Sequence, residues 1–197
     1  MWEQRFATDD YVFGKAPAQF LVEQSSYLTP NATALSVADG EGRNSVFMAQ
    51  QGMQVDALEF APSALRKAKT LAQERGVSVS YQQADVLKHD WPKTYDLVAG
   101  IFIQFVGPED RKHLFDGMKA SVKPGGLILL HGYTPKQLEH GTGGPPFAEN
   151  MYTEEGLRTD FEGWDILRCH AYEREVEEGR GHVGLSALID FVACKPA

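Results

Sequence analysis

Two glycines, Gly40 and Gly42, follow a short apolar run, Ala34-Leu35-Ser36-Val37-Ala38, and precede a helix-like stretch with Val46, Phe47 and Ala49. A strand, a glycine turn and a helix make a cradle for a ligand. Glycine takes backbone angles closed to other residues, and the first N–H groups of the helix point into the same space. The same pattern also serves as an ordinary tight turn between strand and helix. Glu59 ends the next apolar run, about 20 residues beyond the glycines, where a carboxylate can accept two hydrogen bonds from a ribose diol. Asp85 ends a third run and can accept a bond from an exocyclic adenine amine, with Phe60, or Val86 and Leu87, flanking the ring. An acid at a strand end is also commonly a solvated terminus or a helix cap.

The elements that must position these residues are legible in order. Strands are expected at 34–38, 55–59, 77–83 and 95–102. The first is followed by a helix at 43–51 and the second by a helix opening at Pro62, with Ala64, Leu65, Ala68, Leu71 and Ala72 at helical spacing. A helix from Gly107-Pro108, a turn at Lys123-Pro124-Gly125-Gly126 and a strand at 127–131 come next. Residues 132–150 are an excursion longer than most connections, and their aromatic residues and histidines favour an active-site loop. A helix from Thr153, a long strand from Trp164 to Val176 and a returning strand from Ser186 to Lys195 close the chain. The pattern predicts an α/β fold: a Rossmann-like, doubly wound, mostly parallel seven-stranded sheet with a C-terminal antiparallel hairpin and helices on both faces. The aromatic-rich arm at 1–30 is helical from Pro17, and either seals the edge of a core or covers a ligand.

The 197 residues, 43% of them apolar, suit one domain over 1–197. Asp and Glu number 27 against 19 Lys and Arg, which argues against a nucleic-acid partner, whose phosphates call for a basic footprint. Cys169 and Cys194 are expected as buried free thiols. The opening residues lack the apolar core of a signal peptide, and no apolar run approaches the roughly 20 residues that span a bilayer. A cytoplasmic protein with no membrane partner, as monomer or homodimer, is the expectation. No spacing of His, Cys or Asp suggests a metal site.

The charges choose between two ligands of such a cradle. Asp39 and Glu41 flank Gly40. Carboxylates beside a pyrophosphate are unfavourable, whereas they suit a ligand carrying a sulfonium and an ammonium. At this point the chain resembles the class I S-adenosylmethionine-dependent methyltransferases. Among them it is similar to the small bacterial group of tellurite-resistance and thiopurine methyltransferases. The likeness rests on Tyr11-Val12-Phe13-Gly14, Glu41-Gly42-Arg43-Asn44, Glu59, Ala84-Asp85, Tyr95-Asp96-Leu97-Val98, Lys123-Pro124-Gly125-Gly126 and Gly141-Thr142-Gly143-Gly144-Pro145-Pro146. It implies S-adenosylmethionine as cofactor and S-adenosylhomocysteine as product. The cofactor-binding residues are then Ser36, Ala38, Asp39, Gly40, Gly42, Asn44, Glu59, Phe60, Ala84, Asp85, Val86 and Ile101. Relatives read Asp-Leu-Gly-Cys-Gly-x-Gly at the turn; here Ser36 replaces the acid and Ala38 the first glycine.

Methyl transfer is an in-line displacement that needs an aligned acceptor and, for many acceptors, a base. Gln104, His131 and Tyr11 are the catalytic candidates, because Gln104 follows the fourth strand and His131 ends the fifth. Tyr133 and Tyr152 can line an acceptor pocket. Arg174, Arg180 and His182, around the last turn, either bind an anionic acceptor or form a solvated rim. The acceptor is expected to be a small molecule: a thiol, a chalcogen oxyanion or another small nucleophile. A non-catalytic module that binds the cofactor or its product, and a nucleotide-dependent oxidoreductase, are the alternatives.

Overall fold

The computed structural model describes residues 2–179 and 183–197. Its elements are α1 (Trp2–Phe6), α2 (Gln19–Glu23), β1 (Thr33–Val37), α3 (Arg43–Gln50), β2 (Gln54–Glu59), α4 (Pro62–Glu74), β3 (Ser80–Gln83), β4 (Tyr95–Ile101), α5 (Pro108–Ala120), β5 (Val122–Tyr133), α6 (Gln137–His140), α7 (Glu154–Asp160), β6 (Asp165–Glu177) and β7 (Val183–Cys194). The strands form a seven-stranded sheet in the order β3-β2-β1-β4-β5-β7-β6. The expected architecture is present, with a parallel majority and the antiparallel β7–β6 pair at one edge. Among the described residues, no helix is long and apolar enough to cross a membrane.

By its internal contacts the chain forms two compact units, Met1–His89 with Glu178–Gly181, and Asp90–Glu177 with His182–Ala197. In the first, β1 is buried from Ala34 onward, and pairs in parallel with β2, which pairs in parallel with β3. Pro62 starts α4 with its φ already set, and the stripe Ala64, Leu65, Ala68, Leu71 and Ala72 is buried. Alanine at 68 lets α4 come close to the glycine turn. A Cβ at Gly42 would lie 2.7 Å from the Ala68 Cα, and Gly42 itself has a φ of +92°. The N-terminal helix α1 was not foreseen. Its Phe6 packs with Ala61 and Ala64, and with Trp2, Val12 and Phe13. The helix expected from Pro17 is a single turn, α2, followed by a 3-10 turn at Ser25–Tyr27.

In the second unit, β5 pairs in parallel with β4 and antiparallel with β7. The turn expected at Lys123-Pro124-Gly125-Gly126 instead lies inside β5. Gly125 N–H donates to the Lys195 carbonyl and Lys195 N–H to the Gly126 carbonyl, so the glycines are held by the chain's end. The excursion after β5 is also more ordered than its composition suggests. It contains α6 and a 3-10 turn at Ala148–Asn150. The buried Gln137 carboxamide ties it down, donating to Thr142 Oγ1 and the Gly143 carbonyl and accepting the Ala187 N–H. Cys169 and Cys194 are free thiols, half-buried rather than buried.

Gly42→Ala should destabilise the protein by about 2 kcal/mol or more, since a left-handed residue gains a Cβ against helix backbone. Urea unfolding checks this; a loss under ~0.5 kcal/mol would show that the close approach of α4 is not required.

Candidate functional site

The glycine turn is built on a buried carboxylate. Asp39 accepts from Ser36 Oγ at 2.7 Å, Ser45 Oγ at 2.6 Å and Ser45 N–H at 3.2 Å. It therefore bonds Ser36, the hydroxyl that stands where relatives carry an acid, and ties β1 to the first turn of α3. Burial pushes its pKa up to about 6, against the lowering pull of Ser45 and Ser36. Ala38 takes a φ of +49°, a left-handed backbone that an L-residue enters at a cost.

Glu59, at the end of β2, is also buried. Its two oxygens accept the N–H groups of Gly40 and Ala61, each at 2.8 Å. Burial raises its pKa, opposed by those N–H groups. Among the described residues, no basic side chain pairs with Asp39 or Glu59. Glu41 is different: Lys67 Nζ lies 2.7 Å from its carboxylate. Glu41 therefore does not bring the free negative charge expected of it beside Gly40. Glu41 is neutralised, and the uncompensated pair is Asp39 with Glu59.

The other cofactor-side residues are placed as follows. Phe60 is 57% exposed beside Glu59, and Val86 is buried. Ala84 N–H donates to the Glu59 carbonyl, linking the ends of β2 and β3. Asp85 accepts the Leu87 N–H at 3.1 Å and has Lys88 Nζ at 3.3 Å, so its carboxylate supports the turn that follows β3. Asn44 Oδ1 accepts the Ala18 N–H at 3.0 Å, which commits its side chain to the arm. Tyr11 donates its hydroxyl to the Lys67 carbonyl at 2.8 Å, and burial raises its pKa. All of these belong to the first unit. Ile101, the last residue of β4, is in the second, where it pairs with His131.

The second unit carries the acceptor-side candidates. Gln104 bonds both backbone groups of Tyr133, donating to its carbonyl and accepting its N–H at 2.7 Å each. Gly132 is required there, since a Cβ would collide with the Gln104 carboxamide. His131 is 1% exposed, and its Nδ1 lies 2.9 Å from Asp190 Oδ1. Asp190 also receives Arg168 at 2.9 Å and the Tyr172 hydroxyl at 3.0 Å. Burial alone would raise the Asp190 pKa, but His131, Arg168 and Tyr172 together hold it below the usual carboxylate range. The ionised carboxylate of Asp190 accepts the Nδ1 proton of His131. Phe102 meets the His131 ring edge-on at 4.8 Å and has a φ of +57°, a strained backbone for an aromatic residue. Arg174 lies over the Tyr172 ring at 5.2 Å, while Arg180 and His182 fall outside the described residues.

The sequence reading missed Asp190, Arg168, Tyr172 and Phe102. Asp190 left a signal: it is the single acid in the apolar run 187–193. Arg168 and Tyr172 left none, because polar residues alternating along an edge strand are ordinary.

Two outcomes follow from the glycine turn. Ala38→Gly should stabilise the protein by up to about 1 kcal/mol, the left-handed strain less the entropy glycine adds to the unfolded chain. A loss in thermal denaturation would mean the methyl packs without strain. Asp39 has a folded pKa above its ordinary 3.8, so the unfolded chain releases the proton first as pH rises. Stability from this group is full below about pH 4 and falls by up to about 3 kcal/mol through pH 6. Asp39→Asn should flatten that slope in urea titrations of the ligand-free protein; an unchanged slope would assign it to another group.

Residues 34–126 match the family described as methyltransferase domain. Over 97 residues the chain is 30% identical to the ubiquinone biosynthesis O-methyltransferase of Rickettsia felis, covering 49% of this chain and 39% of that one. The matches span 34% to 40% of the lengths of the curated relatives. TehB from Haemophilus influenzae has a similar structure, with a TM-score of 0.75 at 17% identity over 98% of this chain and 65% of that one. The N-methyltransferase NodS from Bradyrhizobium japonicum WM9, in complex with S-adenosyl-L-homocysteine, gives a TM-score of 0.73 at 13% identity over 100% and 97%. Residues 34–126, a little under half of the chain, are thus similar to a methyltransferase domain, and the chain shares its fold with the N-methyltransferase NodS.

Proposed function

We propose that the protein transfers the methyl group of S-adenosylmethionine to a small-molecule nucleophile. The observation that carries this reading is the uncompensated buried pair at the glycine turn, Asp39 and Glu59. Both are raised by burial, and both gain from a ligand that brings hydroxyl donors and positive charge. A carboxylate offers about four acceptor sites, so Glu59 retains capacity for ribose hydroxyls beyond the backbone groups it already receives. Asp85, Phe60, Ala84 and Val86 are assigned to the adenine end. Ser36, Ala38, Asp39, Gly40 and Gly42 are assigned to the methionine end, with Asn44 acting through its place in α3. For Ile101, at the end of β4, a place beside the cofactor is what the sequence resemblance implies.

When bound, the cofactor supplies an activated methyl group on a positive sulfonium. The protein's part is to hold the acceptor in line and to accept its proton. His131 is the residue we assign to the proton. Asp190 Oδ1, 2.9 Å from Nδ1, holds the orientation of the ring. Gln104 contributes by fixing the backbone of Tyr133, two residues beyond His131 in β5. The sequence resemblance to the tellurite-resistance and thiopurine methyltransferases supports a thiol or chalcogen oxyanion as acceptor, and the similarity to an O-methyltransferase supports a hydroxyl. Ala38, strained where relatives carry glycine, is the observation that favours the rival reading of a non-catalytic binding module.

Glu59→Ala should weaken S-adenosylhomocysteine binding by about 1–3 kcal/mol, the scale of lost charge-assisted hydrogen bonds. Calorimetry measures it. No binding by the unmodified protein at millimolar ligand would end the cofactor reading, and an unchanged affinity in the variant would end the ribose assignment. Methyl transfer to any member of an acceptor panel of thiols, phenols and tellurite would end the non-catalytic alternative.

A further inference from the structure

Glu41, Arg43 and Asn44 sit in the glycine-turn motif, yet the cofactor reading gives their side chains nothing to do. All three are buried, and all three turn toward the N-terminal arm. Glu41 accepts the Phe13 N–H at 3.4 Å and pairs with Lys67, which also donates to the Asp10 carbonyl at 2.7 Å. Asn44 takes the Ala18 N–H. Arg43 Nη1 reaches the Ala16 carbonyl at 3.5 Å and Glu178 at 2.8 Å. The backbone of the motif faces the ligand space while its side chains fasten the arm.

Glu178 is the fastening that comes from farthest along the chain. One carboxylate oxygen takes Arg43 and the other takes the Gln19 N–H at 3.0 Å, the first residue of α2. The Arg43 and Glu178 side chains are 7% and 12% exposed, so the pair is shielded from solvent, and removing one partner strands a buried charge. The next residue, Gly179, has a φ of +69°, and a Cβ there would run into the Phe13 and Gly14 backbone. At the other end of the arm, Phe6 lies 3.7 Å from where a Cβ on Gly40 would stand. With the arm in place, Ser36, Asp39 and Glu59 are nearly sealed from water.

We propose that Glu178 is a positioning residue for the cofactor cradle. By holding Arg43 and the start of α2 together, it keeps the arm closed on the glycine turn and sets how long the bound cofactor stays. The proposal rests on the cofactor reading above. Glu178 does not touch the ligand; it acts through Arg43, so the exchange rate moves while the ligand's own partners are intact.

The test measures S-adenosylhomocysteine dissociation by stopped flow, alongside tryptic cleavage after Lys15 read by mass spectrometry. Glu178→Gln and Gly179→Ala should each raise the dissociation rate about tenfold or more, a change worth about 1.4 kcal/mol, and expose Lys15 to cleavage. The paired exchange R43E with E178R should restore much of both. An unchanged dissociation rate, or a faster rate with the arm still protected, overturns the proposal. If Glu178→Gln does not fold, Gly179→Ala decides, since it keeps both charges. Failure of the unmodified protein to bind the ligand removes the cofactor reading itself, whereas binding that the variants leave unaltered removes only the role of Glu178.

Discussion

A carboxylate under a glycine turn has to be surrounded by donors before the chain can close over it. Asp39 has Ser36 on one side and Ser45 on the other, and this small network joins the end of β1 to the start of α3. Burial still raises the acid's pKa, so the donors only partly replace water. Glu59 is in the same condition, satisfied by backbone N–H groups but, among the described residues, paired with no cation. The turn therefore carries negative charge at its base. That one electrostatic fact connects the motif's altered residues, the choice of ligand and the pH dependence of the fold.

Two kinds of constraint act on the same few residues. Gly40 and Gly42 are set by backbone: each has a positive φ, and Gly42 is also pressed against α4. Glu41, Arg43 and Asn44 are set by side-chain partners in the arm and at Glu178. A motif read only for its ligand would assign all five to one purpose. In the second unit a parallel division holds. Gln104 spends its carboxamide on backbone, whereas His131 has its Nδ1 held by Asp190.

The order of strands and helices was legible because each β-α unit carries its own punctuation: Gly52 after α3, Pro62 at the start of α4, Gly107-Pro108 before α5. Glu59 and Asp85 were legible as strand-end acids for the same reason. What escaped depends on partners remote in sequence. Lys123-Pro124-Gly125-Gly126 has the composition of a turn, but pairing with Lys195 draws it into β5. The paired charge of Glu41 needed knowledge that α4 brings Lys67 to it. Glu178 was hidden among the acids of Glu173 to Glu178, where nothing local separates a latch from a solvated strand.

The pair between Arg43 and Glu178 spans 135 residues, and the bond from Gln19 to the same carboxylate spans 159. Contacts of such separation form late, because the loop they close is most of the chain. A polypeptide emerging from its N-terminus can assemble the strands and helices of its first unit well before residue 178 exists. The arm's last fastening must wait. The cradle's own strands and helices are thus local structure, whereas the fastening of the arm depends on a residue made more than 130 positions later.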